Sequence, residues 1–252
     1  MEFIKKFGGV AFLAAALAAG AWWWLFEGRQ EARLRVIVVG LDGLDNVHLD
    51  RLIAEGKLPT FAKIRNEGAW GTLKSISPMT SPLLWASIAT GRAPDDHGIY
   101  HFFEFADPDE HTVRPASSAG RKAPALWSIA SYFGKAAGAA GWYTSWPAER
   151  VDGFVISNEW TPEAEKSGKR GLAYPAALGS ELASRLAIEY SPQDVEKNFL
   201  SAPLASVTDD GRSRVRDLAS FMRGAETYRR MIPGLAERYR PICWRCTCQY
   251  PT

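Results

Sequence analysis

Two short stretches hold side chains whose types and spacing suit chemistry. Asp42 follows the apolar, β-branched run Val36-Ile-Val-Val-Gly-Leu41, and the hydroxyl pair Thr80-Ser81 stands directly before Pro82 and an apolar run that stops at Gly91. In open α/β sheets ligands gather at the carboxyl ends of strands, so an aspartate at that point is well placed to reach a site. The competing reading of Asp42 is a turn or helix-capping residue beside Gly43 and Asp45. Ser81 is a helix N-cap by type and position, with the ordinary task of accepting a hydrogen bond from a free backbone N–H. With a metal ion beside it, the same helix start favours a serine alkoxide and the phosphate it attacks.

The elements that must carry these residues can be read from the pattern. "VIVVGL" predicts a buried parallel strand ending in a loop, and "HLDRLIAEG" and "TFAKIRNEG" predict short amphipathic helices, each closed by glycine. "AWGTLKSI" predicts a second strand, and "PLLWASIATG" a helix with Pro82 in its first turn and Gly91 at its stop. "APALWSIASYFG" predicts a helix, while "AAGAAGWYT" and "GFVISN" predict strands. Alternating helices and strands imply a three-layer α/β/α sandwich with a mainly parallel sheet. From 175 to about 239 the pattern turns helical and charged, suited to covering one face of the sheet or forming a cap.

Composition bounds the function. The 252 residues are 46% hydrophobic, enough for one substantial core, and 30 basic against 28 acidic side chains leave a net charge of +2. No long single-sign block tracks a phosphate backbone, so a nucleic-acid partner is not expected. Residues 8–26, "GGVAFLAAALAAGAWWWLF", carry no charge and as a helix would cover roughly 28 Å, close to bilayer thickness. Trp22, Trp23 and Trp24 suit an interfacial aromatic belt, while Ala19-Gly20-Ala21 offers a signal-peptidase site. Because the apolar run continues past that site, residues 1–29 are read as a membrane anchor, with secretion as the outcome if they are cleaved. The main domain, from residue 30, is expected to be extracytoplasmic. Lys5 and Lys6 on one side face Arg29, Arg33 and Arg35 on the other, so charge leaves orientation open.

The order "VIVVGLDGLD", "LPTFAKIRNEGAWGTL", "SPLLWASIATGRAPDDHGI" and "PALWSIASYFGKAAGAAGWYTSWPAERVDGFVIS" resembles the alkaline phosphatase superfamily, specifically its type I phosphodiesterase/nucleotide pyrophosphatase branch, over residues 36 to 160. The resemblance implies a two-zinc phosphotransfer site that cleaves a small-molecule phosphate ester, a phosphodiester or a nucleotide pyrophosphate, through a covalent phosphoseryl intermediate. Asp42 matches the metal-binding aspartate after the first strand. Ser81, ten residues before Gly91, matches the nucleophile, itself a metal ligand, and Thr80 is the alternative one place out of register. Two divalent ions roughly 4 Å apart would stabilise the attacking and leaving oxygens. Leu84 stands where nucleotide-cleaving relatives usually carry asparagine, which counts against nucleotide pyrophosphate as substrate. His97 matches the family pattern and is read as organising the loop after the helix; His48 is read as a surface or packing residue.

The later part of the chain departs from that pattern. A complete site needs further Asp and His ligands, and no histidine follows His111. All three cysteines, Cys243, Cys246 and Cys248, fall in "ICWRCTCQYPT", where composition changes abruptly. With no second pair and no nearby histidine, Cys243-x-x-Cys246 is weak as a zinc or redox site. Back-translation with one base restored converts the tail into Asp-Leu-Leu-Ala-Val-Tyr-Leu-Pro-Val-Pro-Asp, an apolar strand ending in aspartate. Residues 242–252 are therefore expected to be a frameshifted tail, 30–241 a partial catalytic domain with 175–239 as its helical cap or face, and the chain inactive as written. The alternatives are a membrane-anchored remnant without turnover, or a binding module using the aromatic face around Trp142, Tyr143 and Trp146.

Overall fold

The β-branched run at residue 36 forms β1 (Val36–Leu41), and a two-stranded antiparallel ribbon, β2 (Phe103–Phe105) with β3 (Val113–Pro115), stands apart from the main sheet. The small-residue stretch forms β4 (Ala137–Trp142) and "GFVIS" forms β5 (Gly153–Ser157). With β1, β6 (Ala173–Tyr174) and β7 (Cys243–Cys248) they make a five-stranded sheet in the order β1-β7-β4-β5-β6. Its first four strands are parallel, and β6 runs antiparallel to β5. This computed structural model describes residues 36–105, 112–186, 188–241 and 243–248, the last six as backbone only. The segment 8–26 read as a membrane anchor lies outside the described residues, and no described helix is long and apolar enough to cross a membrane.

Helices cover both faces because successive strand side chains point in opposite directions. Ala137 and Ala139 of β4 and Val155 of β5 pack with Trp85 and Ala89 of α3 (Ser81–Thr90) and Trp127 of α5 (Leu126–Tyr132). On the other face Ala140, Phe154 and Ile156 meet Leu178 and Leu182 of α7 (Ala176–Arg185) and Met231, Ile232 and Leu235 of α9 (Asp209–Tyr239). The smallness of β4 has a steric cause: a Cβ on Gly138 would lie 2.5 Å from the Phe154 ring. This is the three-layer, mainly parallel α/β architecture that the alternation of elements implies.

The remaining helices are short. α1 (Asn46–Ala54) and α2 (Pro59–Glu67) occupy the two stretches read as amphipathic helices, and α4 (Pro94–His97) is a single turn after α3. α6 (Pro162–Lys166) and α8 (Pro192–Phe199) flank α7; Val195 of α8 packs with Val215 and Ala219 of α9.

Two elements differ from the sequence reading. Residues 69–76 form no strand and every one is exposed. Strand propensity is realised only on a pleated surface that buries one face, and this alternating stretch buries neither. Residues 243–248, to which the side-chain pattern assigned no element, run between β1 and β4 and pair in register with both, Val36 and Ala137 each opposite Cys243. β7 is thereby the strand joining β1 to the rest of the sheet.

Candidate active site

Asp42 lies immediately beyond β1, half-buried, where Gly43 turns the chain at a φ of +66°. Its Oδ1 accepts the Gly43 N–H at 3.0 Å, and Oδ2 has no protein partner among the described residues. Helix capping belongs to Asp45. That carboxylate accepts the His48 N–H at 2.8 Å and meets His48 Nδ1 at 2.7 Å. These contacts, the backbone hydrogen bond foremost, hold the Asp45 carboxyl below its ordinary pKa. His48 is exposed and acts only in this local pair, in keeping with its reading as a surface residue.

The two hydroxyls at the start of α3 have different fates. Thr80 occupies the N-cap position with extended backbone, and its carbonyl receives the first helical bond, from Leu84 N–H at 3.0 Å. Ser81, expected at the N-cap, is instead the first helical residue. Neither hydroxyl caps the helix: Pro82 has no N–H to offer, and Thr80 Oγ1 donates to the Tyr100 carbonyl at 3.0 Å. Ser81 Oγ is half-buried and has no hydrogen-bond partner among the described residues. The first-turn N–H groups that lack an intrahelical acceptor make this helix start favourable to an anion.

Packing holds α3 in place from behind. The Trp142 indole N–H, at the end of β4, donates to the Trp85 carbonyl at 2.9 Å, and the two rings meet edge to face at 4.8 Å. One turn on, Ser87 Oγ donates to the Leu83 carbonyl and lies 2.9 Å from His97 Nε2, while His97 Nδ1 accepts the Ile99 N–H at 3.1 Å. This pattern fixes the neutral, Nε2-protonated imidazole. Burial first, and the charge of Arg121 second, push its pKa below the usual value. His97 is thus a structural tie between α3 and the following loop, as its sequence position suggested.

The carboxyl end of β4 is also held tightly, by residues that carry no sequence signal. Arg121, buried, donates to the Thr144 carbonyl at 2.9 Å and pairs with Glu149 at 2.6 Å. The same carboxylate accepts the Trp127 indole N–H at 2.6 Å and the Ser128 hydroxyl at 3.0 Å. Thr144 sits at a φ of +58°, a strained conformation for a β-branched residue, and is fully buried. Beside it, burial and then the Glu159 charge push the Tyr143 phenol up to about 12, so it is protonated at neutral pH. Trp142 is core rather than a binding surface, whereas Tyr143 and Trp146 are half-buried.

The structure therefore places Asp42 at the end of β1 and Ser81 at the start of α3, each with uncommitted oxygen, and no hydrogen bond joins them. Among the described residues no three His, Cys, Asp or Glu side chains come together to hold a metal ion. Two residues do not fit a complete two-metal centre.

No curated protein sequence matches the chain. Among solved structures it is similar to phosphonoacetate hydrolase from Sinorhizobium meliloti 1021 in complex with phosphonoformate: 21% identity, a TM-score of 0.52, and coverage of 85% of this chain and 46% of that one. The complex of the same enzyme with phosphonoacetate aligns at 20% identity, a TM-score of 0.45 and the same coverage. The chain thus spans about half the length of that enzyme, and the likeness is one of fold. The family model for type I phosphodiesterase/nucleotide pyrophosphatase matches residues 36–211. With that match over most of its length, the chain belongs to the type I phosphodiesterase/nucleotide pyrophosphatase family.

Proposed function

We propose that the domain is a phosphoester hydrolase in which Ser81 is the nucleophile and Asp42 the first metal-holding carboxylate. The observation that carries this reading is the division of labour at the start of α3. Thr80 commits its hydroxyl to Tyr100, while Ser81 keeps Oγ free beside the unbonded N–H groups of the first helical turn. In the reaction Ser81 Oγ forms a bond to phosphorus as the bond from phosphorus to the leaving alcohol breaks, and the serine proton ends on that alcohol. Water then cleaves the phosphoseryl ester, releasing phosphate or a phosphomonoester and restoring the hydroxyl. The family is generally metal-dependent. The sequence reading expects no activity from the chain as written; the uncommitted oxygens of Ser81 and Asp42 support slow turnover instead, limited by the two donors assigned here.

A second reading, a membrane-anchored member of the family without turnover, is favoured by the lack of a three-ligand cluster among the described residues. Hydrolysis of bis-p-nitrophenyl phosphate and p-nitrophenyl phosphate with zinc added separates the two. The hydrolase reading expects release of p-nitrophenol that disappears in Ser81→Ala. The second expects both proteins at solvent background.

A further inference from the structure

The hydrogen bond that holds the Thr80 hydroxyl away from the start of α3 belongs to a chain of contacts that leads back to one buried imidazole. His97 is fully buried, with Nε2–H donating to Ser87 Oγ at 2.9 Å and Nδ1 accepting the Ile99 N–H at 3.1 Å. Ser87 in turn donates to the Leu83 carbonyl at 2.8 Å, in the first turn of α3. On the other side Ile99 is followed directly by Tyr100, whose carbonyl accepts from Thr80 Oγ1 at 3.0 Å. The Ile99 side chain packs with Ala86 and Ala116, and the Tyr100 phenol donates to Asp95 at 2.8 Å. With both side chains fixed, a change at the Ile99 N–H is taken up by the backbone that ends in the Tyr100 carbonyl.

The ring can hold Ile99 in one protonation state only. A second proton sits on Nδ1, and Nδ1–H then faces the Ile99 N–H, donor against donor, in a place without water. The charges around the ring pull in both directions. Arg121, itself paired with Glu149, opposes a charged imidazole, and Lys122, whose N–H donates to the His97 carbonyl, adds like charge. Asp96 favours it, Asp95 is engaged by Tyr100, and α3 brings no titratable side chain.

Thr80 has an ordinary alternative to Tyr100. It stands at the N-cap position, from which a threonine hydroxyl accepts the N–H three residues on, here that of Leu83. That cap is not made, so the Leu83 N–H stays available at the helix start beside Ser81.

We propose that His97 is a positioning residue for Ser81: its neutral ring, through Ile99 and Tyr100, keeps the Thr80 hydroxyl off the Leu83 N–H, and protonation of Nδ1 releases Thr80 to cap α3. In the neutral state Ser81 is the free hydroxyl and the first-turn N–H groups face an incoming anion. In the charged state Thr80 occupies one of those N–H groups beside Ser81. The consequence for phosphate rests on Ser81 as nucleophile, whereas the tie from His97 to Leu83 is read without turnover.

Amide NMR of the full 252-residue chain, labelled with nitrogen-15 and held in detergent micelles, tests this between pH 7.5 and pH 4.5. The Ile99 and Leu83 amide signals are expected to move together with the His97 ring, with one midpoint below the ordinary histidine value. Protection of the Ile99 amide from exchange should fall about fivefold and that of Leu83 rise about fivefold, as one hydrogen bond is lost and another made. The Trp142 indole N–H, bonded to the Trp85 carbonyl in mid-helix, should stay where it is. His97→Asn offers Ile99 a carboxamide oxygen that does not titrate, and should hold both amides constant over the range. Thr80→Val should keep the Ile99 shift and abolish that of Leu83. An Ile99 or Leu83 amide that stays still while His97 titrates, a ring that takes no proton above pH 4.5, equal shifts in His97→Asn, or a Trp142 signal that moves with them, which is unfolding, would each overturn the proposal. Intact shifts in a chain without hydrolysis would uphold the tie and count against the proposed function alone.

Discussion

The Trp142 indole N–H reaches 2.9 Å to the Trp85 carbonyl, tying the last residue of β4 to the helix that begins with Ser81. The bond crosses 57 residues of sequence and is buried. Trp142→Phe keeps an aromatic ring but strands the Trp85 carbonyl and leaves space beside it. The substitution is expected to lower stability by about 2–4 kcal/mol, read as a fall in the urea midpoint. It also loosens the start of α3, so any hydrolysis should decline more than global stability alone explains.

Thermal stability should fall on acidification through the titration of His97. Its pKa is lowered in the folded protein, so the unfolded chain binds the proton more readily. The stabilisation from the neutral ring is complete above the unfolded value of about 6.5 and is lost as pH falls through the range from there to the lower folded value. A melting temperature that drops from pH 7 to pH 5, with a smaller drop in His97→Asn, checks the sign and the residue.

Deleting residues 242–252 removes β7, which pairs with β1 on one side and β4 on the other. β1 would then lose its ladder partner, and Val36, Ile37 and Val39 are already more than half exposed. Unpaired apolar edges associate. The shortened chain is expected to elute as large assemblies in size-exclusion chromatography and to lose its cooperative melt.

Much of this arrangement was legible in the residues. β1, α3, β4 and β5 stand where apolar runs and their glycine stops put them, and Gly91 closes α3 in the left-handed conformation that favours glycine. Asp42 and Ser81 were visible because strand ends and helix starts have local signatures. Which hydroxyl is free was not, since it depends on the Tyr100 carbonyl, twenty residues away from Thr80. The Arg121–Glu149 network was equally hidden: its partners are scattered from 121 to 149, and no periodicity links them. β7 was missed because its side chains have no strand signature, while a central ladder rests on backbone groups that every non-proline residue has.

Thr80 and Ser81 provide the sharpest contrast. Thr80→Val removes one hydrogen bond and should cost about 0.5–1.5 kcal/mol of stability while leaving hydrolysis in place. Ser81→Ala removes a hydroxyl with no protein partner among the described residues and should change stability by less than about 0.5 kcal/mol.

The most direct test of the account is p-nitrophenyl ester hydrolysis, with zinc added, by the wild-type chain, Thr80→Val and Ser81→Ala in parallel. The account predicts slow product release by the first two and none above solvent background by Ser81→Ala. Release that survives Ser81→Ala, or a wild-type chain that stays at background, would contradict it.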